Sequence, residues 1–311
     1  MRVLVTGGAG FIGSHVVDAL LKRGHEVAIL DDLSTGNRRN LAAGATFEEI
    51  DLRDRSRVHD LVARVRPEVV CHQAAQTSVS VSAREPVRDA EVNIVGSLHL
   101  LDACVRFNVN RVVFASTGGA IYGEVPEGER ATTTWEPKPL SPYACAKLAV
   151  ERYLDAYRSE HELDSTVLRY ANVYGPRQDP HGEAGVVAIF ARRLLAGQPI
   201  RINAMHTPGD DGCIRDYVYV EDVVHANVDA VEGRLTGTIN VATGVPTTTR
   251  AIATGLIAAL GVTPTVEAAP RRPGDLRRSV LMADPRLGEA TPLNHGLTLT
   301  AAWFEGDAAD A

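Results

Sequence analysis

A short β-branched run, Arg2–Thr6, opens directly onto Gly7-Gly8-Ala9-Gly10-Phe11-Ile12-Gly13, and a helical pattern follows as far as Arg23. Few sequence features restrict a chain so narrowly. Between a strand and a helix, the three glycines at this spacing serve different needs. Gly7 permits the tight turn, Gly10 lets backbone approach a pyrophosphate, and Gly13 lets the helix pack on the strand. Amides at the helix start point outward with the positive end of the helix dipole behind them, which suits phosphate. Gly24 then stands where a left-handed cap stops the helix.

The same alternation continues downstream. A second strand over 26–30 ends at Asp31, whose carboxylate can accept from an adenosine ribose hydroxyl. A 2′-phosphate beside Asp31 and Asp32 would be repelled, so NAD is favoured over NADP. Apolar runs at 46–50, 69–71, 111–115 and 165–168 predict further strands, and helical stretches are expected at 55–65, 87–107 and 143–161. Asp51 and Leu52 fall after the third strand, where an adenine would lie. His72 to Gln76 follow the fourth, and Ala74 and Ala75 are small enough for close cofactor approach. His72 itself reads as a packed residue. Strands alternating with helices of this length make βαβ units, hence a Rossmann-type doubly wound parallel sheet. After Arg169 the rhythm changes: 172–185 and 205–212 are rich in Pro, Gly and polar residues. The expected division is a cofactor domain over 1–170 and a smaller C-terminal substrate lobe over 171–311. The strand-like segments 215–224 and 238–241 could return to the first.

Composition removes several function classes. The net charge is −7, so there is no basic footprint for nucleic acid. Of 32 basic residues only Lys22, Lys138 and Lys147 are lysine, the rest arginine, so a lysine at a functional spacing stands out. Cys71, Cys104, Cys145 and Cys213 form no CxxC pair and read as reduced thiols. The ten histidines are scattered without ligand spacing, so no metal site is expected. Met1 runs straight into the first strand with no cleavable signal, and no apolar run reaches the ~18 residues of a membrane span, so a cytoplasmic protein is expected.

The reacting groups come from Ser141-Pro142-Tyr143-Ala144-Cys145-Ala146-Lys147. Ser141 can cap a helix and Pro142 suits its first turn. Tyr143 and Lys147, four apart, share a face. A lysine ammonium beside a phenol is expected to lower the phenol's pKa, making a base that takes a hydroxyl proton while hydride leaves the same carbon for NAD. The fifth strand delivers Ser116-Thr117-Gly118-Gly119. A hydroxyl here can bond the reacting oxygen and relay the proton; Thr117 is the first choice and Ser116 the alternative.

TGGAGFIG, YACAK, LRYANVYGPRQ and IRDYVYVEDV together resemble the UDP-glucose 4-epimerase family of extended short-chain dehydrogenases, over nearly the whole chain. The resemblance implies a tightly held NAD and a smaller lobe gripping a UDP-sugar. Carried over by position, Gly7, Gly10, Phe11, Ile12, Gly13, Asp31, Asp32, Ser34, Thr35, Gly36, Asp51 and Leu52 should touch the cofactor. So should Gln73, Ala74, Ala75, Gln76, Asn93, Ser116, Tyr143, Lys147 and Tyr170. Substrate contacts should come from Thr117, Tyr143, Asn172, Val186, Val187, Ile202, Asn203, Arg215, Arg272, Asp275 and Ser279. Asn172 and Arg215 are expected on the diphosphate, and Arg272 and Asp275 on phosphate and uridine ribose. A homodimer through the helices at 87–107 and 143–161 is also implied.

One departure matters. Many relatives carry a third hydroxyl residue where this chain has Gly118, which moves the relay to Thr117. Related dehydratases place an Asp-Glu pair after the threonine, and UDP-glucuronate decarboxylases keep a glutamate there. Gly118 and Gly119 supply neither acid, leaving oxidation at C4, rotation of the 4-keto sugar and hydride return. The alternatives are another UDP-sugar enzyme, such as a UDP-glucuronate 4-epimerase, or a non-catalytic NAD-binding regulator. Counting forward from Gly274-Asp275 places Ser279 at the position that, in the family, gates the C2 substituent. A small residue there implies that the N-acetylhexosamine pair is accepted besides plain hexoses. The other reading of Ser279 is a strand residue facing solvent.

Overall fold

A computed structural model describes residues 1–180, 185–272 and 274–309. Residues 181–184, within the loop-rich stretch 172–185, and Pro273 of the Arg272-to-Asp275 segment lie outside the described residues. Strands are β1 (Arg2–Thr6), β2 (Glu26–Asp31), β3 (Thr46–Glu49), β4 (Val69–His72), β5 (Arg111–Thr117), β6 (Asp164–Tyr170), β7 (Asn172–Tyr174), β8 (Ile200–Asn203), β9 (Ile214–Tyr219), β10 (Gly237–Val241), β11 (Pro246–Thr248), β12 (Val266–Ala269) and β13 (Arg278–Ser279). Helices are α1 (Phe11–Lys22), α2 (Arg55–Val65), α3 (Val79–Arg84), α4 (Pro86–Ala90), α5 (Ser97–Arg106), α6 (Gly118–Ile121), α7 (Pro142–His161), α8 (Val186–Leu195), α9 (Val220–Val231), α10 (Thr249–Leu260) and α11 (Leu293–Ala309).

The chain forms two compact units interleaved in sequence. The first takes Met1–Thr117, Pro139–Arg169 and Val223–Ile239; the second takes Gly118–Lys138, Tyr170–Asp222 and Asn240–Ala311. A seven-stranded sheet runs in the order β10-β6-β5-β4-β1-β2-β3. Its β1 pairs in parallel with β2 and β4, β2 with β3, and β4 with β5. Val3, Leu4 and Val5 are fully buried, as a strand covered on both faces must be. Chain order reverses between β1 and β4, the switch point where doubly wound sheets hold ligands beyond the strand ends. Of the two segments that could reach back, 238–241 falls within β10 at the sheet edge. The other, 215–224, stays out of this sheet: its first half belongs to β9, in a four-stranded sheet with β11, β13 and β7, and the rest opens α9.

Local chemistry explains most helix boundaries. Asp54 caps α2 by accepting from Arg57 N, and Ser141 caps α7 by accepting from Ala144 N with Pro142 in the first turn. The single helix expected over 87–107 is instead α4, a π-helical stretch Glu91–Gly96, and α5. Periodicity alone could not show this break, because a π bulge inserts one residue without changing the apolar pattern on either side. Asn93 sits in that bulge.

Candidate active site

In the first unit the glycine turn is as tight as its spacing requires. Gly7 has φ +69°, and a Cβ there would come within 2.7 Å of Ala74 N. A Cβ on Gly13 would lie 2.1 Å from Gly7 O, and one on Gly10 3.2 Å from the same atom. Ser14 N makes its bond back to Gly10 O, so Phe11 and Ile12 fill the first turn of α1, where helix amides lack an intrahelical acceptor. Asp31 is buried and braces this turn: Oδ2 accepts from Ala9 N at 2.9 Å and Oδ1 from Leu33 N at 2.8 Å. Burial pushes its carboxyl pKa up, and the two amide donors oppose that. Gly36 approaches so closely that a Cβ would meet Asp31 Oδ1 at 2.7 Å. Asp32 is exposed and accepts from Ser34 N and Oγ; Ser34 and Thr35 are exposed too. Asp51, two residues past the end of β3, is held by Arg53, which keeps it below the usual carboxylate range. The pair borders an open cleft of about 570 Å³ that Glu91, Val95 and His99 also line. Leu52 is buried, and Gly96 passes it so closely that a Cβ would meet it at 2.9 Å.

The segment after β4 is pinned by Asn93, as well as by Thr6, Asn227 and Asp89, which sequence reading did not single out. Ala74 N donates to Thr6 Oγ1 at 3.2 Å, and Gln73 Nε2 donates to Asn227 Oδ1 at 2.8 Å. Asn93 spans Gln76: its Oδ1 accepts from Gln76 N at 2.8 Å and its Nδ2 donates to Gln76 O at 2.9 Å. Asp89 Oδ1 accepts from both Gln76 Nε2 and Asn93 Nδ2. His72 is packed as expected, bonded to Thr6 Oγ1 and Ser97 Oγ, and burial drops its pKa to about 3.

Tyr143 and Lys147 lie on one face of α7. Lys147 is buried, donates from Nζ to Ala115 O at 2.8 Å, and stands 5.9 Å from the Tyr143 ring centroid. Burial brings its pKa down to about 8, while the carboxylates of Asp89 and Glu151 hold it up. The expected lowering of the Tyr143 pKa by Lys147 is not what dominates. Desolvation leads and pushes the phenol up, Asp89 adds to that, and the Thr117 hydroxyl bond works the other way. The lysine gives its hydrogen bond to the β5 carbonyl of Ala115 and makes none to the phenol. Ser116 differs from Thr117: its Oγ donates to Glu151 Oε1 at 2.6 Å, inside a buried pair in which Arg169 Nη2 meets Glu151 Oε2 at 2.6 Å. Glu151 continues the face of Tyr143 and Lys147 by one more turn, a spacing that could have flagged it. Of the cysteines, Cys71, Cys104 and Cys213 are buried and Cys145 is exposed, all as free thiols. No group of side chains among the described residues could hold a metal ion.

The second unit gathers most of the residues assigned to substrate. β9 carries Arg215 in register with Ser279 of β13, and β7 pairs with β9 through Asn172 and Tyr217. Arg215 donates to the backbone oxygens of Ile214, Leu276 and Arg277, so it holds the β13 approach in place. Ser279 is 1 % exposed, which rules out the solvent-facing reading; strand pairing covers it. Among the polar atoms of this unit buried without a protein partner are Ser279 Oγ, Asn172 Oδ1 and Arg271 Nε. Such atoms are rare in folded proteins, and a polar ligand is one of the few things that satisfies them. Arg271 carries this buried nitrogen, whereas Arg272, the residue expected on the phosphate, is exposed. Asp275 is partly buried, as is Asn203, whereas Ile202 and Val187 are fully enclosed and Val186 opens α8. Tyr170, at the end of β6, is buried. Two of the acids of the IRDYVYVEDV segment, Asp216 and Asp222, prove structural. Asp216 accepts from Thr243 N and Oγ1 and from Gly244 N, and Asp222 accepts from Thr291.

The UDP-glucose 4-epimerase of Mycolicibacterium smegmatis is 47 % identical to this chain over 287 residues, 90 % of each chain. The crystal structure of the Thermus thermophilus UDP-glucose 4-epimerase in complex with NAD superposes with a TM-score of 0.95 at 55 % identity, covering 98 % of this chain and 99 % of that one. The Thermotoga maritima UDP-glucose 4-epimerase with UDP-glucose gives 0.92 at 46 %, covering 99 % and 100 %. Residues 3–242, which contain the glycine turn, the Tyr143/Lys147 helix and Arg215, match a single family model, and the chain belongs to the NAD dependent epimerase/dehydratase family.

Proposed function

We propose that this chain is an NAD-dependent UDP-hexose 4-epimerase that interconverts UDP-glucose and UDP-galactose through a 4-keto sugar. The observation that carries the proposal is the pairing of Tyr143 with Thr117 above a buried Lys147, with Gly118 and Gly119 following in sequence where an eliminating enzyme would need acids. The glycine turn fits a dinucleotide, since Cβ atoms on Gly7 and Gly13 would fill the cradle. Gly7, Gly10, Gly13, Asp31, Asn93 and Lys147 are the residues assigned to hold it, with Asp31 and Asp32 disfavouring a 2′-phosphate. When bound, NAD supplies hydride uptake and return at the sugar C4.

Everything else falls to the chain. The Tyr143 oxygen takes the 4-hydroxyl proton and later gives it back, so the net reaction consumes no proton. The Thr117 hydroxyl is the relay, because that of Ser116 is committed to Glu151. Lys147 places a positive charge under the phenol, which favours its ionised form. In the second unit, Asn172, Arg215, Arg272, Asp275 and the neighbouring Arg271 are assigned to the nucleotide, and Val186, Val187, Ile202 and Asn203 to its surroundings. Ser279, small and with an unpartnered hydroxyl, is assigned to the sugar's C2 side and supports acceptance of the N-acetylhexosamine pair.

The purified protein is incubated with UDP-galactose and, separately, UDP-N-acetylgalactosamine, with no NAD added. Formation of both 4-epimers is expected, and Ser279→Tyr should remove the N-acetyl activity while sparing the plain hexoses, since overpacking a site costs ~1–3 kcal/mol. No conversion of UDP-galactose by protein that carries NAD would sink the epimerase reading; conversion of that sugar alone would sink only the Ser279 gate. A homodimer is supported by the exposed apolar side chains Val79, Val87, Val95 and Tyr153 on α3, α4, the π-helical stretch and α7. Light scattering should give twice the chain mass, and a monomer's mass would exclude it. No helix among the described residues is long and apolar enough to cross a membrane.

A further inference from the structure

Two carboxylates act on the Lys147 ammonium, and they are matched differently. Glu151 has its own cation: Arg169 donates to its two oxygens at 3.0 and 2.6 Å. Asp89 has none. It is 1 % exposed, on α4, which packs against α7. Its Oδ1 accepts from Gln76 Nε2 at 2.8 Å and Asn93 Nδ2 at 3.0 Å, both uncharged amides. A buried carboxylate bonded only to neutral donors is costly unless a positive charge lies close by. Lys147 is the cation that acts on it.

The other charged groups around the pair are accounted for. His72 at the end of β4 is held neutral, and Arg169 on β6 is taken by Glu151. On α3, α4 and the π-helical stretch, Arg84, Glu85, Arg88 and Glu91 are exposed, with Arg88 paired to Glu85. On α5, Asp102 is paired with Arg55 and Arg106 is exposed.

We propose that Asp89 is a positioning residue that acts through Lys147 and Tyr143, its buried charge holding the lysine as the ammonium and setting the pH range in which the pair can exchange a proton. This rests on the assignment of proton transfer to Tyr143. The charge of Asp89 works in one direction on both partners, raising Lys147 and raising Tyr143. Its removal therefore lowers both. By holding Gln76 and Asn93, the same carboxylate also ties this electrostatic role to the cofactor-facing segment after β4.

The chain has three lysines, Lys22, Lys138 and Lys147, so protein labelled with ¹³C at lysine Cε gives three resonances whose titrations can be followed separately. Asp89→Asn is nearly isosteric and still offers an oxygen to Gln76 and Asn93. In this variant the Lys147 midpoint should move to lower pH by about one unit, the size a close opposite charge imposes. Lys22 and Lys138 should stay, and Asp89→Glu, which keeps the charge, should bring the Lys147 midpoint back toward the wild-type value. Both limbs of the kcat/KM profile for UDP-galactose should move to lower pH in Asp89→Asn. A purely structural role would lower the profile without moving its limbs. An unmoved Lys147 midpoint in the folded Asp89→Asn protein overturns the proposal, whatever the activity does. If that variant does not fold, Asp89→Ser is titrated in its place: a lowered Lys147 midpoint supports the proposal and an unmoved one overturns it. A wild-type protein inert toward UDP-galactose would refute the epimerase reading yet leave the lysine titration to decide on Asp89.

Discussion

Tyr143→Phe is expected to cut turnover of UDP-galactose by roughly 10²–10⁴-fold, the usual worth of a positioned general acid–base, while the protein keeps its fold and its NAD. The phenol carries the proton, but its loss removes little packing, because Phe fills the same volume and the α7 start is held by Ser141 and Pro142. Thr117→Val should follow in the same assay with a smaller loss, since the relay hydroxyl goes but Tyr143 remains. Ser116→Ala should separate from both. It removes a donor to a buried charged pair, so it should cost about 1.5–3 kcal/mol of stability with only a modest effect on turnover. Near-normal turnover in Tyr143→Phe would sink the mechanism. A larger catalytic loss in Ser116→Ala than in Thr117→Val would reassign the relay.

Gly13→Ala should abolish cofactor retention, because its Cβ would sit 2.1 Å from Gly7 O, a backbone atom that cannot swing aside. Relief requires α1 to move off β1, and that opens the turn whose amides face the phosphates. The purified variant should show no nicotinamide absorbance and a lowered Tm. Two other glycines give the contrast. At Gly8 an added Cβ would meet the Ile29 side chain at 2.8 Å, which can shift, so a partial effect is expected. At Gly24 nothing lies within 4 Å, and only the left-handed backbone, φ +79°, is strained. That costs ~1 kcal/mol and should leave NAD binding alone. Retention of NAD by Gly13→Ala at wild-type Tm would show that the cradle is not where the phosphates go.

Local features were legible because they are decided within a few residues. The glycine triplet needs one strand, one turn and one helix start; Tyr143 and Lys147 need one helical turn; Gly118 and Gly119 exclude an acid by their identity alone. Alternating strands and helices settle a doubly wound sheet, since parallel neighbours demand a crossover of that length. Asp31 falls where the second strand ends, so its place could be counted.

What only the tertiary structure decided involves segments distant in sequence. Ser116 and Thr117 are adjacent and chemically alike; what separates them is that Glu151, from α7 and itself paired with Arg169 of β6, accepts from Ser116. Ser279 could not be told from a surface residue until β13 was seen paired with β9. Arg215 and Asp216, read as part of a motif, turn out to bind backbone far along the chain, at 276–277 and 243–244. The state of the Tyr143 phenol is the clearest case. Spacing puts a lysine beside it, but burial and the charge of Asp89, brought in by α4, outweigh that neighbour. Spacing along a helix determines which groups can meet, whereas desolvation and long-range charge depend on everything packed around them, and that is a property of the folded chain alone.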